Sequence, residues 1–264
     1  MNKKLLYGGA ALLLVAILAY VIFGVLLRAP EAASGPISAI PIATRAPATS
    51  APAESSASAT SAPAAAATTA PDTTRATSAP AAVTADQLLF QIVPDQSEAR
   101  FKLSEVLRGQ PTNVLGKTNQ VAGQISITPN DLSTSQLGTI QINARTFATD
   151  SSQRNRAINN FILETANYEF ITFKPTAITG LSGKATLGQA YSFEIAGDLT
   201  IRDVTKPVVF KATATPESAD KLTGTASAAI KRGDFNLTIP SVPFVADVSD
   251  DVTLEIDFVA APVT

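Results

Sequence analysis

Three arginines, Arg145, Arg154 and Arg156, sit around the start of a segment with helical spacing. Their planar forks suit anionic oxygens, although a solvated surface is the more ordinary account of them. Asp247, Asp250 and Asp251 gather in one loop. Calcium needs several oxygens in a fixed arrangement, and this spacing matches no EF-hand, so the cluster reads as a charged turn. Asn236-Leu237-Thr238 is a glycosylation sequon, meaningful only in a eukaryotic secretory context. The chain has no cysteine and no histidine. Disulfides, thiolate metal sites and thiol nucleophiles are therefore excluded. So are the usual general base and the Ser-His-Asp arrangement. Catalysis by Asp, Glu, Lys or Tyr would need a convergent set of such groups, and none is visible. P-loop, Rossmann glycine and metal motifs are absent. The expectation is a protein that is not an enzyme and needs no cofactor.

The elements that must position these residues have a period of two. Val252 to Phe258 alternates apolar and polar residues without a break. Val121, Ile125 and Ile127 share a face, as do Tyr191, Phe193 and Ile195. Leu222, Gly224, Ala226, Ala228 and Ile230 form a further row. This is the signature of half-buried strands. Turn signals at 128–131, 179–183 and 216–220 separate the runs. Ser151 to Thr165 differs: Ala157, Ile158, Phe161 and Ile162 lie at helical spacing and predict one short helix. The expected fold class is all-β, an antiparallel barrel or sandwich of about eight strands with that helix. Small residues on the inward rows (Gly123, Ala144, Gly197, Gly224, Ala226, Ala228) leave room for a cavity or serve close strand crossings.

Composition divides the chain into three. Leu5 to Leu27 is 23 residues long, apolar and uncharged, and follows Lys3 and Lys4. A bilayer core needs roughly 20 such residues in a helix, and the lysines favour an N-terminus on the cytoplasmic side. The expectation for residues 1–28 is a transmembrane signal anchor, in a cell membrane, with the remainder extracytoplasmic. A cleaved signal, giving a secreted protein, is the alternative. Residues 29–85 are rich in Ala, Pro, Ser and Thr and read as a disordered linker. Residues 86–264 form the expected globular domain. That domain carries 15 Lys plus Arg against 19 Asp plus Glu, without the basic excess of a nucleic-acid binder.

A longer pattern now emerges. Gly197-Asp198-Leu199-Thr200-Ile201-Arg202-Asp203-Val204-Thr205-Lys206-Pro207-Val208 closely resembles the signature hairpin of the YceI-like family, with Asp203 where that family has Gly. Ser97–Leu103, Gly116–Ile127, Tyr168–Lys174 and Ile230–Leu237 resemble further landmarks of the family in the same order. The helical region lacks the family's histidine, and residues 105–120 lack its aromatic-rich loop. The resemblance covers about residues 90–260. It implies a lipocalin-like barrel binding a polyisoprenoid lipid, so the expected partners are such a lipid and, through the N-terminal helix, the membrane. Homodimerisation is left open.

On that reading the wall of the site comprises Phe101, Leu103, Ile125, Ile140, Ile142 and Phe147. Phe161, Ile171, Phe173, Phe193 and Ile195 complete it, with Arg145, Arg154 and Arg156 offered to a pyrophosphate or quinone head group. Each apolar residue serves equally well as plain core. Two other functions compete: a structural or adhesive module displayed by the tether, and an enzyme acting on a lipid.

Overall fold

A computed structural model describes residues 29–42 and 87–263. The apolar run at 5–27, expected to span a membrane, lies outside the described residues, as do residues 43–85 of the expected linker and Asp86 at the start of the expected domain. Among the described residues no helix is long and apolar enough to cross a membrane.

The alternating segments form one antiparallel sheet, curled into a half-barrel round an apolar interior. Its first strands are β1 (Leu88–Ile92), β2 (Glu98–Leu107), β3 (Gln110–Thr118), β4 (Val121–Ala122) and β5 (Gln124–Ile127). Then come β6 (Gln136–Leu137), β7 (Ile140–Asn143), β8 (Phe170–Thr179) and β9 (Tyr191–Ile201). The last are β10 (Val204–Ser218), β11 (Lys221–Lys231), β12 (Val245–Ala246) and β13 (Asp251–Pro262). Pairing runs β4–β7–β8–β9–β10–β11–β13–β1–β5–β6, with β2 joining β13 to β3 and β12.

Several short strands are pieces of longer lines of chain. β1 and β2 lie on the same edge of β13, pairing Phe90 with Pro262 and Phe101 with Leu254. Between them a 3-10 turn at Pro94–Gln96 interrupts the line. There the Ser97 hydroxyl donates to the Val93 carbonyl at 2.8 Å and accepts from the Val259 amide at 3.1 Å. The interruption therefore leaves those backbone groups satisfied, as burial demands. β3, β4 and β5 follow one another along 110–127. β4 pairs Val121 with Ile142 of β7, while β5 pairs Phe90 with Ile125.

The hairpin of Ile201 and Val204 turns in two residues, Arg202 and Asp203. Arg202, rather than Asp203, takes the positive φ, at 57°. Its guanidinium reaches Glu164 at 2.8 Å and the Ile162 carbonyl at 3.3 Å, binding the hairpin to the helical segment. Periodicity does not mark β3 as a strand. Pro111, Asn113 and Gly116 weaken its intrinsic preference, and its place is set by pairing with β2 from Gln110 to Thr118.

The helix α1 is shorter than the sequence spacing implies, spanning Ser152–Ala157. Ser151 caps it, its hydroxyl accepting from the Arg154 amide at 3.3 Å, as N-cap serines do. A π turn, Ile158–Ile162, follows, and the Leu163 amide donates five residues back to the Ile158 carbonyl at 2.8 Å. The wider turn changes which side chains share a face. Ile158, Ile162 and Leu163 face the interior chamber described below, while Phe161 does not.

Residues 29–42 also depart from their composition. They lie along the domain instead of leading away from it. The Ile42 amide donates to Gln124 Oε1 at 2.8 Å and the Ile37 amide to Gln120 Oε1 at 3.2 Å. Ile37 is buried.

Candidate functional site: two adjacent apolar chambers

The inward rows of the sheet enclose two chambers. The larger, about 210 Å³, lies toward α1; the smaller, about 120 Å³, lies toward the 128–135 and 180–190 turns. Leu137, Ile140, Ile195, Ala226 and Ile256 belong to both walls. The two chambers thus lie side by side along the interior, and Ala226 is the smallest residue of the wall they share.

Most of the expected wall residues meet here. Phe101, Leu103, Ile142, Phe147, Ile171 and Phe173 line the larger chamber. Ile125 and Phe193 line the smaller, and Ile140 and Ile195 both. Phe101 packs edge-on to Phe147 with centroids 5.4 Å apart, and Phe173 edge-on to Phe210 at 4.8 Å, the geometry aromatic quadrupoles favour. Phe161 is half-buried and outside both walls.

The glycines of the inward rows do not themselves make the space. Their missing side chains are replaced by neighbours: Phe101 covers Gly116, Ile140 covers Gly123, Phe173 covers Gly197 and Phe258 covers Gly224. They serve close crossings, the other of the two roles open from the sequence.

The three arginines separate. Arg154 lines the larger chamber and pairs with buried Glu105 at 2.7 Å, and also with Asp150. Arg145 is outside the chambers. It donates to the Thr165 carbonyl at 2.9 Å and pairs with Glu31 at 3.0 Å and Glu169 at 3.2 Å. Burial pushes the Glu169 carboxyl up, but hydrogen bonds from Ser34 and Asn143 and the charge of Arg145 outweigh it and hold the group below the usual glutamate value. Arg156 is exposed on α1.

Sequence reasoning overlooked Glu105, and with it the ion pair at the chamber's helix end. Glu105 stands in the inward row of β2 with Ala99, Phe101 and Leu103, so alternation places it at the wall, but a lone carboxylate in that row names no partner; Arg154 of α1 supplies one. It also overlooked Val252, Leu254 and Ile256, wall residues in the run that best advertised a strand. Among the described residues no group of His, Cys, Asp or Glu side chains could hold a metal ion.

An antiparallel, lipocalin-like curled sheet round an elongated apolar interior, with one ion pair at the helix end, defines a small class of binding folds. The chain belongs to the YceI-like domain family, whose model matches residues 90–260. Among solved structures it is similar to a polyisoprenoid-binding domain from Saccharophagus degradans, described as implicated in plant cell wall breakdown. The TM-score is 0.53 at 15% identity, covering 67% of this chain and 99% of that one. It is also similar to BcnA from Burkholderia cenocepacia, with a TM-score of 0.51 at 20% identity, covering 64% and 99%. At these identities the likeness is one of fold. Comparison with curated proteins gave no match.

Proposed function

We propose that this protein is a membrane-tethered, extracytoplasmic carrier or sink for a polyisoprenoid or a similar long apolar lipid. The observation that carries the reading is the pair of adjacent apolar chambers. Protein interiors are packed to crystal density with few voids. Leaving the larger chamber alone empty costs on the order of 5 kcal/mol, a cost that a lipid tail filling it would offset. A chain entering both chambers would be bound by expelled water at about 25 cal/mol per Å² of apolar surface. Arg154 and Glu105 stand at the helix end, where a polar head would rest. The pairings of β4 with β7 and of β5 with β1, both from the 110–127 line, favour a closed barrel over an open sheet. Membership of a family with a polyisoprenoid-binding structural neighbour supports the choice of cargo. The uncharged run at 5–27 supports the tether.

The test is to purify the full-length chain in a detergent that does not displace tightly held lipid, extract it with organic solvent and analyse the extract by mass spectrometry. A stoichiometric isoprenoid or other long-chain lipid is expected. An extract without lipid, together with no saturable uptake of added polyprenyl lipid, would sink the proposal and favour a display module with an unused interior.

A further inference from the structure

The loop between β11 and β13 holds two exposed apolar side chains, Phe244 at 73% and Val242 at 41% exposure. Phe244 takes a φ of 70°. A bulky side chain is rare in that region and costs backbone energy, and such strain persists where the surrounding structure enforces it. Here the enforcement is visible. The Arg108 amide donates to the Phe244 carbonyl at 2.7 Å, and Val245 pairs with Leu107. The loop is thus pinned to the tip of the β2–β3 hairpin with its aromatic ring outward. The same stretch supplies Leu237, Ile239 and Val248 to the wall of the larger chamber. The exposed tip is therefore continuous with the rim of the lipid space.

An independent observation concerns where the chain enters this end of the domain. The strap of residues 29–42 runs beside the 110–127 line. Ile42 meets Gln124 and Ile37 meets Gln120, so going back toward Ala29 the strap advances toward the β2–β3 tip. Ser34 then meets Glu169, and Arg145 binds Glu31 and the Ala32 carbonyl. Arg145 itself lies beyond Asn143, whose amide pairs with Gln120, and before Ala148, which bridges to Lys117. The strap thus delivers Ala29, the residue after Arg28 and the 23-residue apolar run, toward the end that carries α1, the hairpin tip and Phe244.

We propose that this end of the domain docks on a lipid bilayer, with Val242 and Phe244 entering the interface beside the chamber rim. The inference rests on the tethered lipid-binding reading and adds the docking face and the direction of cargo entry. Two apolar side chains are a weak anchor alone. Held beside a membrane by their own chain they act at high effective concentration. Exposed Arg108 at the hairpin tip and exposed Asp247 beside the loop carry opposite charges, so apolar contact, and not net attraction to anionic lipid, supplies the docking. A tail could then pass from bilayer to chamber without crossing water.

The chain has no cysteine, so single labels can be placed on the full-length protein reconstituted into phosphatidylcholine vesicles. Val242→Cys and Asp220→Cys, the latter in the opposite β10–β11 turn, would each carry an environment-sensitive NBD group. The expected result is a blue-shifted emission at position 242 only, quenched by doxyl groups placed about 5–10 Å deep. Adding Phe244→Ser should abolish the quenching and leave the melting temperature unchanged. Aqueous emission at both positions in vesicle-bound protein overturns the docking face while leaving lipid carriage intact. Failure of the chain to enter vesicles overturns the tether and this proposal together. A shift at 242 that needs no vesicles and grows with protein concentration identifies a second copy as the partner and overturns it as well. Because no step requires cargo, an empty chamber and an undocked loop are read separately.

Discussion

Arg145 shows how far a side chain's type falls short of its role. Guanidinium chemistry made it a head-group candidate, yet its donors meet Glu31, Glu169 and three carbonyl oxygens of the protein itself. It is the clasp of the strap. Glu169 completes the clasp, accepting from the Ser34 amide at 2.8 Å and from the Ser34 hydroxyl. Because its carboxyl is held low, the stabilisation it gives the strap is fully present above its unfolded value, about 4.3. That contribution fades as pH falls through the lowered folded value. Hydrogen exchange at the Ser34 and Ile37 amides, corrected for intrinsic rates, should therefore lose protection on acidification below about pH 4.3. In Glu169→Gln that acid step should disappear, with weaker protection at neutral pH. Persistence of the step in the variant would assign it to another group. Glu105 gives a second prediction. Glu105→Gln leaves Arg154 facing an apolar chamber with only exposed Asp150, so a loss of about 1–3 kcal/mol is expected in urea unfolding. A change below about 0.5 kcal/mol would mean that water reaches the pair. Neither clasp nor ion pair was legible in the sequence. The strap is Ala- and Pro-rich, and most of what holds it is backbone that any residue would offer: the Ser34, Ile37 and Ile42 amides donate to Glu169, Gln120 and Gln124, and the Ala32 carbonyl accepts from Arg145, with Glu31 and the Ser34 hydroxyl adding side-chain contacts.

At the scale of elements, alternation located nearly every long strand, because one buried face imposes a period of two whatever the topology. It failed at β3, where pairing with β2 overrides poor propensity, and at the helix, where a π turn moved Phe161 out of line. Glycine is the element-level lesson. In the register, Phe101 opposes Gly116 and Phe258 opposes Gly224, so large rings lie over bare backbone across adjacent strands. The obstacle to a new methyl differs from site to site. At Gly224 it would lie 2.4 Å from the Thr213 carbonyl oxygen, a backbone atom fixed in the β10–β11 ladder. At Gly123 the nearest atom is the end of a side chain, Ile140 Cδ1, at 2.3 Å. Gly224→Ala is expected to cost about 3 kcal/mol, and Gly123→Ala about 1 kcal/mol after Ile140 changes rotamer. Equal losses in denaturant titrations would show that rotamer freedom at Ile140 does not relieve the crowding.

At the scale of the whole molecule, the question is whether the two chambers act as one. The sequence announced an apolar inward face, but could not show where that face stops filling itself; that depends on curvature and on which rings fold over which glycines. Ala226 is the place to ask. It lies on β11 in the wall of both chambers, and a large side chain there would project where they adjoin. Ala226→Phe should leave each chamber usable while dividing them. If one lipid tail occupies both, the variant should retain binding of short chains that fit the larger chamber and lose its preference for long ones. Removal of bound lipid from the unsubstituted protein should lower its melting temperature, since ligand at 100 times its dissociation constant adds about 2.7 kcal/mol to stability. In Ala226→Phe that increment should shrink for long chains and persist for short ones. Thermal melts with polyprenyl lipids of graded length measure both at once. If the variant and the parent keep the same length preference, the smaller chamber lies outside the lipid path, and cargo is confined to the space beside α1, Arg154 and Glu105.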